Sequence, residues 1–273
     1  THREALNLQD VPKSITILGG NVEGVEFAAI YAEMGSQVTI IEKENRLLPD
    51  FDADLTYPIE SALTKQGTRI IKGIGAEKAI VKKDKVFITL ENEEVQVSDK
   101  VLLTLLRKPS YPKGIGKLDI KYDDDKIFVD ENFKTSSDHI FALGDINGVS
   151  GMAHTAIDQG IKVANYIAND VPIKTDYSSI PRAVFTLPEI AGAGKQEWEL
   201  REQAYKIYKY EFKNTWRGWA KDIESGFVKV IANKIGNVQG IWMVGDDVSE
   251  YLGLLDILIK KGLTIDDIRS GLI

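Results

Sequence analysis

The 273-residue sequence contains no cysteine. This absence excludes disulfide bonds, thiolate nucleophiles and thiolate metal ligands from the chemistry of the chain itself. Histidine is also scarce, and the three that are present (His2, His139 and His154) lack the close spacing of metal ligands. The sequence therefore predicts no metal site.

Long apolar segments and an excess of positive charge are missing as well. No apolar run approaches the ~20 residues that a membrane span requires, and the first residues lack the basic and apolar regions of a signal peptide. The formal net charge is −7 at pH 7, which argues against nucleic acid as a partner of the whole protein. We therefore expect neither a membrane nor a nucleic-acid partner, and we expect a cytoplasmic location.

The first organised segment is an apolar strand, Ser14–Leu18, that runs into a glycine-containing turn at residues 19–24. Apolar residues at helical spacing then predict a helix over residues 25–34. A second apolar strand, Gln37–Glu42, completes a βαβ unit of the usual size. The pattern continues with a helix over 54–66, a strand over 68–72, an antiparallel meander over 76–100 and a buried strand over 101–106.

The turn has the form of a phosphate-binding loop with one substitution. Gly19 and Gly24 suit the tight turn and the close helix–strand packing of a Gly-x-Gly-x-x-Gly motif. Asn21 stands where the middle glycine lets the backbone approach a pyrophosphate, and Glu23 places a carboxylate near the helix end that phosphate prefers. We expect the asparagine to tolerate a left-handed backbone and its side chain to take space that a diphosphate needs.

An acidic residue ends the second strand. Glu42 follows the turn by about the 20 residues that are typical of a carboxylate that binds an adenosine ribose 2′-hydroxyl. The turn residues Gly19, Gly20, Asn21 and Gly24, together with Glu42, thus predict a dinucleotide site that favours NAD over NADP. The alternative is a doubly wound domain whose nucleotide pocket has decayed.

A second apolar segment ends in Gly144 and Asp145, after predicted strands at residues 127–129 and 140–143. At the carboxyl end of a strand, Asp145 can accept hydrogen bonds from flavin ribityl or ribose hydroxyls, and Gly144 allows a ligand to approach the backbone. Met152, Ala153 and His154 then begin a helix predicted over 151–168, whose free N–H groups suit an electron-rich ring oxygen. The alternative is that Asp145 only caps a turn and His154 only lies on a helix face.

The last hundred residues read as a separate α+β domain. Strands are predicted at 183–186, 205–212, 227–233 and 239–244, followed by a helix over 249–261 capped by Ser249 and a short helix capped by Thr264. The apolar faces at 183–185 and 240–244 predict subunit pairing. Basic and aromatic residues also interleave here, which is an alternative signal for nucleic-acid stacking, although a half-buried sheet explains it better. These residues are Lys206, Tyr208, Lys209, Tyr210, Phe212, Lys213, Trp216, Arg217, Trp219 and Lys221.

In order and spacing, these segments resemble the dihydrolipoamide dehydrogenase and glutathione reductase family of pyridine nucleotide-disulfide oxidoreductases. The matching segments are Val-Pro before the turn, Gly24-Val-Glu-Phe-Ala, Val38-Thr-Ile-Ile-Glu, Arg107-Lys-Pro, Phe141-Ala-Leu-Gly-Asp, Met152-Ala-His and Ile180-Pro-Arg-Ala-Val-Phe-Thr-Leu-Pro-Glu. The resemblance implies an α/β protein. It has a Rossmann-like NAD-binding domain at residues 1–108, the C-terminal return of a FAD-binding domain at 109–175 and an α+β dimerisation domain with an antiparallel sheet at 176–273.

The resemblance also implies FAD and NAD as cofactors, a homodimer, a possible dehydrogenase complex, and electron transfer between NAD(H), FAD and a substrate disulfide. The family's first flavin lobe, its redox cysteine pair and its final His-Pro-Thr-x-x-Glu segment have no counterpart here, and Leu106 replaces a glycine beside the nucleotide. We therefore expect the C-terminal portion of such an enzyme, inactive by itself. The alternative is a non-catalytic dimeric scaffold with a degenerate nucleotide pocket.

Overall fold

The computed structural model describes residues 1–200 and 204–271, and their contacts divide them into two compact units. One unit contains residues 1–105 together with the segment from residue 178 onward, and the other contains residues 106–177. The predicted division of the chain into three domains stays a prediction.

A parallel sheet forms the first part of the larger unit. Its strands are β1 (Ser14–Leu18), β2 (Gln37–Glu42), β3 (Arg69–Lys72) and β7 (Lys100–Leu103). They run in the order β3-β2-β1-β7, so the chain moves to one side of β1 and later returns on its other side. This reversal of strand order creates a crevice at the carboxyl ends of β1 and β7, where ligands of such sheets bind.

Helices connect these strands as the apolar periodicity predicted. They are α2 (Val22–Glu33) and α3 (Ala53–Lys65), and a short helix that was not predicted, α1 (His2–Ala5), precedes β1. Helix α2 begins three residues before the predicted start, because the side chain of Asn21 caps it by accepting from the Gly24 N–H at 3.1 Å. Strand β7 ends at Leu103 rather than at the predicted residue 106.

The predicted antiparallel meander is confirmed. It consists of β4 (Ala76–Lys82), β5 (Lys85–Leu90) and β6 (Val95–Ser98), paired in that order. Its apolar side chains Ile88 and Leu90 pack with Leu18 and Ile41 of the parallel sheet. The meander therefore covers one face of that sheet.

A second, antiparallel sheet follows in the same unit. Its strands are β8 (Arg182–Val184), β9 (Glu189–Gly194), β10 (Tyr205–Glu211), β11 (Phe227–Asn233) and β12 (Val238–Gly245), and the order is β10-β11-β12-β9-β8. The sequence did not predict β9, since its residues are small and lack β-branched alternation. A Cβ on Gly192 would lie 2.3 Å from the ring of Trp242, so the small residues of β9 are what this large buried side chain requires.

The remaining helices of this unit are α5 (Trp216–Ala220), α6 (Leu252–Lys260) and α7 (Ile265–Ser270). The predicted continuous helix over 249–261 is wrong at its start, where Val248–Tyr251 form a 3₁₀ turn before α6 begins. Ser249 is not its cap, because it lies within the 3₁₀ turn and the N-cap residue of α6 is Tyr251; the Ser249 N–H donates to the Glu189 carboxylate at 2.9 Å. The predicted cap Thr264 is confirmed, with a reciprocal capping box to Asp267.

The unit at residues 106–177 is mostly irregular and is organised around α4 (Ala153–Asn169). The strands predicted at 127–129 and 140–143 do not form. Only isolated bridges are present, between Tyr122 and Ile127 and between Lys134 and Phe141. An apolar segment becomes a strand only where a neighbour extends the hydrogen-bonded ladder, and the described residues of this unit supply one bridge to each segment.

A buried lysine ties the two sheets of the larger unit together. Lys229 on β11 is fully buried, and its Nζ lies 2.9 Å from Asp52 Oδ2, 2.6 Å from Asp54 Oδ1 and 2.8 Å from Glu197 Oε1. Burial alone would lower the pKa of Lys229, but the hydrogen bonds to the carboxylates outweigh it and the pKa is raised. Asp52 and Asp54 flank the start of α3, so this cluster joins the parallel sheet's helix layer to the antiparallel sheet.

Candidate functional site

The turn after β1 has the backbone of a nucleotide-binding loop, although not in the predicted form. Gly19 has φ +108°, which a side chain would strain. Asn21 has φ −74° and ψ −173°, which is ordinary N-cap geometry. The tolerance of asparagine for a left-handed backbone is therefore not needed at Asn21, because the residue with positive φ is Gly19.

The side chain of Asn21 makes two hydrogen bonds. Its Oδ1 accepts from Gly24 N, and its Nδ2 donates to the carbonyl oxygen of Thr104, just beyond β7. Thr104 also pairs with the end of β1, through its N–H to Leu18 O at 3.0 Å and its hydroxyl to Gly19 O at 2.9 Å. The Asn21 side chain thus spans the carboxyl ends of β1 and β7.

The glycines of the turn are explained by close packing. A Cβ on Gly24 would lie 1.9 Å from the carbonyl oxygen of Gly19, and a Cβ on Gly20 would lie 2.4 Å from Leu47 Cδ2. A Cβ on Gly19 would lie 2.8 Å from the carbonyl oxygen of Thr104. These distances leave no space for side chains, so the glycines allow the strand, the helix and the following loop to approach each other.

Glu42 lies beside this turn, at the end of β2 as predicted. Its side chain is buried; Oε2 accepts from Gly20 N at 2.5 Å and Oε1 accepts from Glu44 N at 2.7 Å. A carboxylate oxygen offers two lone-pair sites, so each retains one. Glu42 therefore both holds the turn together and keeps acceptor capacity for a ribose hydroxyl.

The N-terminus of α2 carries both free donors and a negative charge. The N–H groups of Val22 and Glu23 have no acceptor among the described residues, which leaves them for an anion. The Glu23 carboxylate stands at the same helix end, with Oε1 3.2 Å from His2 Nδ1 of the short helix α1. Glu23 thus opposes an anionic ligand unless His2 is protonated.

Sequence reasoning missed Glu26 as an individual candidate, although it lies within a matching segment. This half-buried carboxylate on α2 accepts from the Phe185 N–H at 2.9 Å. Burial raises the pKa of Glu26, against the effect of that hydrogen bond, and the nearby Glu23 charge raises it further. A carboxyl with a raised pKa one turn beyond a nucleotide loop is a functional candidate.

The other predicted residues lie in the smaller unit. Gly144 has φ +74°, and its Cβ would lie 3.1 Å from Ala156 Cβ, so close packing against α4 explains this glycine. Asp145 lies in a 3₁₀ turn, Gly144–Asn147, with an exposed carboxylate that has no hydrogen-bond partner among the described residues. Met152 is the N-cap residue of α4, followed by Ala153 and His154, both exposed.

A buried amide pair supports this turn and was not predicted. Gln159 of α4 is fully buried, and its Oε1 accepts from Gly144 N at 2.7 Å and from Asn147 Nδ2 at 2.9 Å. Asn147 Nδ2 also donates to Ala142 O at 3.0 Å. Asn147 and Gln159 therefore position the Gly144–Asp145 backbone against α4. Amide residues at these positions give no sequence signal without that proximity.

Leu106, predicted to lie beside the nucleotide, belongs to the smaller unit and is 98% exposed. The structure thus groups Gly19, Gly20, Asn21, Gly24 and Glu42 at one place, and it groups Gly144, Asp145, Met152, Ala153 and His154 on the other unit.

Part of the predicted pairing surface is wrong. Strand β12 is the central strand of its sheet, and residues 240–244 are covered on both faces, with Trp242 and Val244 fully buried. Exposed apolar side chains lie at Phe185, within the other predicted segment (residues 183–185), and also at Leu187 and on α6.

The basic and aromatic residues of the antiparallel sheet are partly engaged within the chain. Lys209 pairs with Asp54 at 2.9 Å and lies 3.6 Å from the centre of the Phe227 ring, and Lys213 pairs with Glu211 at 2.8 Å. Tyr208 and Phe212 pack against the buried apolar cluster that includes Ala191, Ile241 and Leu255. Trp216 and Trp219 are exposed. No helix in the described part of the chain has the length and hydropathy of a membrane span.

The parallel sheet with its glycine turn and terminal glutamate, followed by the antiparallel sheet, defines a nucleotide-binding protein with an appended α+β domain. The pyridine nucleotide-disulphide oxidoreductase family model matches residues 1–160, and the dimerisation-domain model of the same family matches residues 180–272. The chain therefore belongs to the pyridine nucleotide-disulphide oxidoreductase family, as the resemblance predicted.

Similar proteins extend beyond the segment represented here. Dihydrolipoyl dehydrogenase of Geobacillus stearothermophilus is 33% identical over 272 residues, which are 97% of this chain and 58% of that protein. Dihydrolipoyl dehydrogenase of Mycoplasma genitalium is 32% identical, over 98% of this chain and 60% of that protein. The HOCl-induced flavoprotein disulfide reductase RclA from Escherichia coli is similar in structure, with a TM-score of 0.90 and 25% identity over 98% of this chain and 63% of that one.

Proposed function

We propose that this chain is the NAD-binding, flavin-contacting and dimer-forming portion of a flavin-dependent disulfide oxidoreductase similar to dihydrolipoyl dehydrogenase. The observation that carries the proposal is the turn after β1 beside Glu42, within a chain that spans about 58% of the Geobacillus stearothermophilus dihydrolipoyl dehydrogenase. Without cysteine, the chain has no thiolate for disulfide exchange. The reaction of the whole protein therefore depends on groups that these residues do not provide.

The residues present fit the adenosine side of a dinucleotide. Glu42 keeps acceptor capacity for the ribose, and the Val22 and Glu23 N–H groups are free to donate to phosphate. On the smaller unit, the Asp145 carboxylate and the first N–H groups of α4 are open to flavin hydroxyls and ring oxygens. When bound, the nicotinamide and flavin groups supply hydride and electron-pair transfer; this chain binds and orients them.

Nucleotide selectivity tests this proposal. We expect the chain to bind NADH at least about tenfold more tightly than NADPH, a difference of ~1.4 kcal/mol, because the Glu42 carboxylate repels a 2′-phosphate. The Glu42→Gln variant should narrow this preference, since it removes the charge and keeps the size. The measurement is calorimetric titration at constant salt, and the absence of binding by both nucleotides would contradict the proposal.

A second candidate is a non-catalytic dimeric scaffold with a degenerate nucleotide pocket. Asn21 in place of glycine, the Glu23 carboxylate and the exposed Leu106 favour it. A stable dimer that binds no nucleotide would support this candidate over the first.

We further infer that the chain pairs with a second copy through Phe185, Leu187 and the exposed face of α6. Each of these places leaves an apolar side chain at least half exposed, and contact with a second copy would bury this surface. Sedimentation as a monomer at high concentration would contradict pairing. We also propose a cytoplasmic location and a place in a dehydrogenase complex.

A further inference from the structure

We infer that Asn21 closes the nicotinamide half of the dinucleotide crevice, so that the chain in this conformation recognises adenosine diphosphate and gains little from the rest of NAD. The inference rests on the proposed function, since it assumes that the turn after β1 is a nucleotide site. It assigns to Asn21 a role in specificity that the sequence motif alone does not describe.

The topology determines which side of the turn serves which half of a dinucleotide. Strand β2, with Glu42 at its end, lies on one side of β1, and β7 lies on the other. A ligand that reaches across the switch point extends from the β2 side toward the β7 side. Because Glu42 marks the adenosine side, the nicotinamide half must pass the ends of β1 and β7.

The β7 side is held closed by contacts within the chain. Asn21 Nδ2 donates to the Thr104 carbonyl oxygen, and the Thr104 N–H and hydroxyl bond to Leu18 and Gly19. The backbones are already close here, since a Cβ on Gly19 would lie 2.8 Å from Thr104 O. The Asn21 amide therefore occupies the position where a glycine would leave the crevice open.

The adenosine side is not closed in this way. The remaining lone pairs of Glu42 and the free N–H groups of Val22 and Glu23 suit a ribose and two phosphates. The two halves of the crevice thus differ in kind: one offers unsatisfied donors and acceptors, and the other has its polar groups bonded to each other.

Opening the β7 side requires the two side-chain bonds of Asn21 to break. Each intramolecular hydrogen bond is worth about 1 kcal/mol, so removing both should improve binding of the full dinucleotide by about thirtyfold. Glycine at an N-cap position costs only a few tenths of a kcal/mol relative to asparagine, so the fold should survive Asn21→Gly.

The experiment compares ADP with NADH by calorimetric titration of the full chain at constant salt and pH. We expect the wild-type chain to bind the two nucleotides with dissociation constants within about twofold of each other. Asn21→Gly should tighten NADH binding by about thirtyfold and ADP binding by no more than about fivefold, since ADP gains only the freed Gly24 N–H. Asn21→Ser is a second variant, since its hydroxyl can still cap Gly24 N but is too short to reach Thr104.

The matched control is Thr264→Gly, which removes the N-cap of α7 in the antiparallel part and should change neither affinity. NADH binding much tighter than ADP binding in the wild type, unchanged by either Asn21 variant, would overturn the inference and leave the proposed function intact. Failure of wild type and variants to bind either nucleotide would overturn both.

Discussion

The two groups of candidate residues differ in how far the chain satisfies them by itself. Around the turn after β1, the Asn21 amide and both oxygens of Glu42 are hydrogen bonded, and the glycines are packed against backbone or side chains. At the start of α4, the carboxylate of Asp145 and the side chain of His154 are exposed. The first site leaves open only the spare lone pairs of Glu42 and the N–H groups of Val22 and Glu23, whereas the second presents its side chains without partners from the described residues.

The comparison extends to the units that carry the two groups. The larger unit is braced by the buried Lys229 cluster, and its core includes Trp242, whose ring meets Phe51 edge-on at 5.7 Å. The smaller unit relies on hydrogen bonds such as Tyr177 to Asp158 at 2.9 Å. Burial, together with this Asp158 contact, raises the pKa of Tyr177 to about 12. The two units are thus stabilised by different kinds of contact.

The largest expected effect comes from removing the buried charge of the larger unit. Lys229→Met should lower the free energy of unfolding of that unit by about 3–5 kcal/mol, because it leaves the buried Asp52 and the part-buried Glu197 without their lysine partner and leaves Asp54 with Lys209 alone. Denaturant unfolding with hydrogen exchange measures it, and the amides of α4 in the smaller unit should be unaffected. Lys209→Met is the matched control on the neighbouring strand. It should lower the free energy of unfolding by less than about 1 kcal/mol, because the Lys209–Asp54 pair is partly exposed. Equal losses in both variants would contradict this picture.

A pair of glycine substitutions compares the packing of the two units directly. Gly24→Ala should cost about 1–3 kcal/mol, because its Cβ would lie 1.9 Å from Gly19 O and force the turn apart. Gly160→Ala on α4 meets nothing within 4 Å and should stabilise its helix by about 0.5–1 kcal/mol. Thermal unfolding reads both changes. If Gly24→Ala were harmless, the close packing of the turn would be wrong.

The smallest expected effect is a pH dependence confined to the larger unit. Burial works to raise the pKa of Asp54, but Lys229 and Lys209 hold it below its usual value of 3.8. A carboxyl with a lowered pKa stabilises the fold above its unfolded pKa, and this contribution is lost as the pH falls through the folded value. For Lys229, whose pKa is raised, the dependence has the opposite sign. Its contribution to stability is fully present below the usual lysine pKa of 10.5 and is lost as the pH rises through the pKa of the folded state.

Asp54→Asn should reduce the loss of stability that the larger unit undergoes at acid pH. The measurement is the denaturant midpoint between pH 2 and pH 6 for wild type and variant, followed by hydrogen exchange in each unit. An unchanged loss of stability at acid pH in the variant would show that Asp54 does not contribute to it.

The sequence by itself determined the local elements whose signals lie in neighbouring residues. The apolar run at Ser14–Leu18, the glycines of the turn and the glutamate at the end of β2 predicted the βαβ unit and the place of Glu42. Thr264 and Asp267 predicted their own capping box. The order of these segments also identified the family, because that order is a property of the chain alone.

Tertiary structure decided what depends on partners distant in the chain. Strand β9 forms because small residues fit against Trp242, and the predicted strands at 127–129 and 140–143 do not form because no neighbour extends them. The bond from Asn21 to Thr104 and the contacts of Lys229 with Asp52 join residues more than eighty positions apart. Local patterns cannot predict such contacts, since the energy of a buried polar group depends on which partners the fold brings to it.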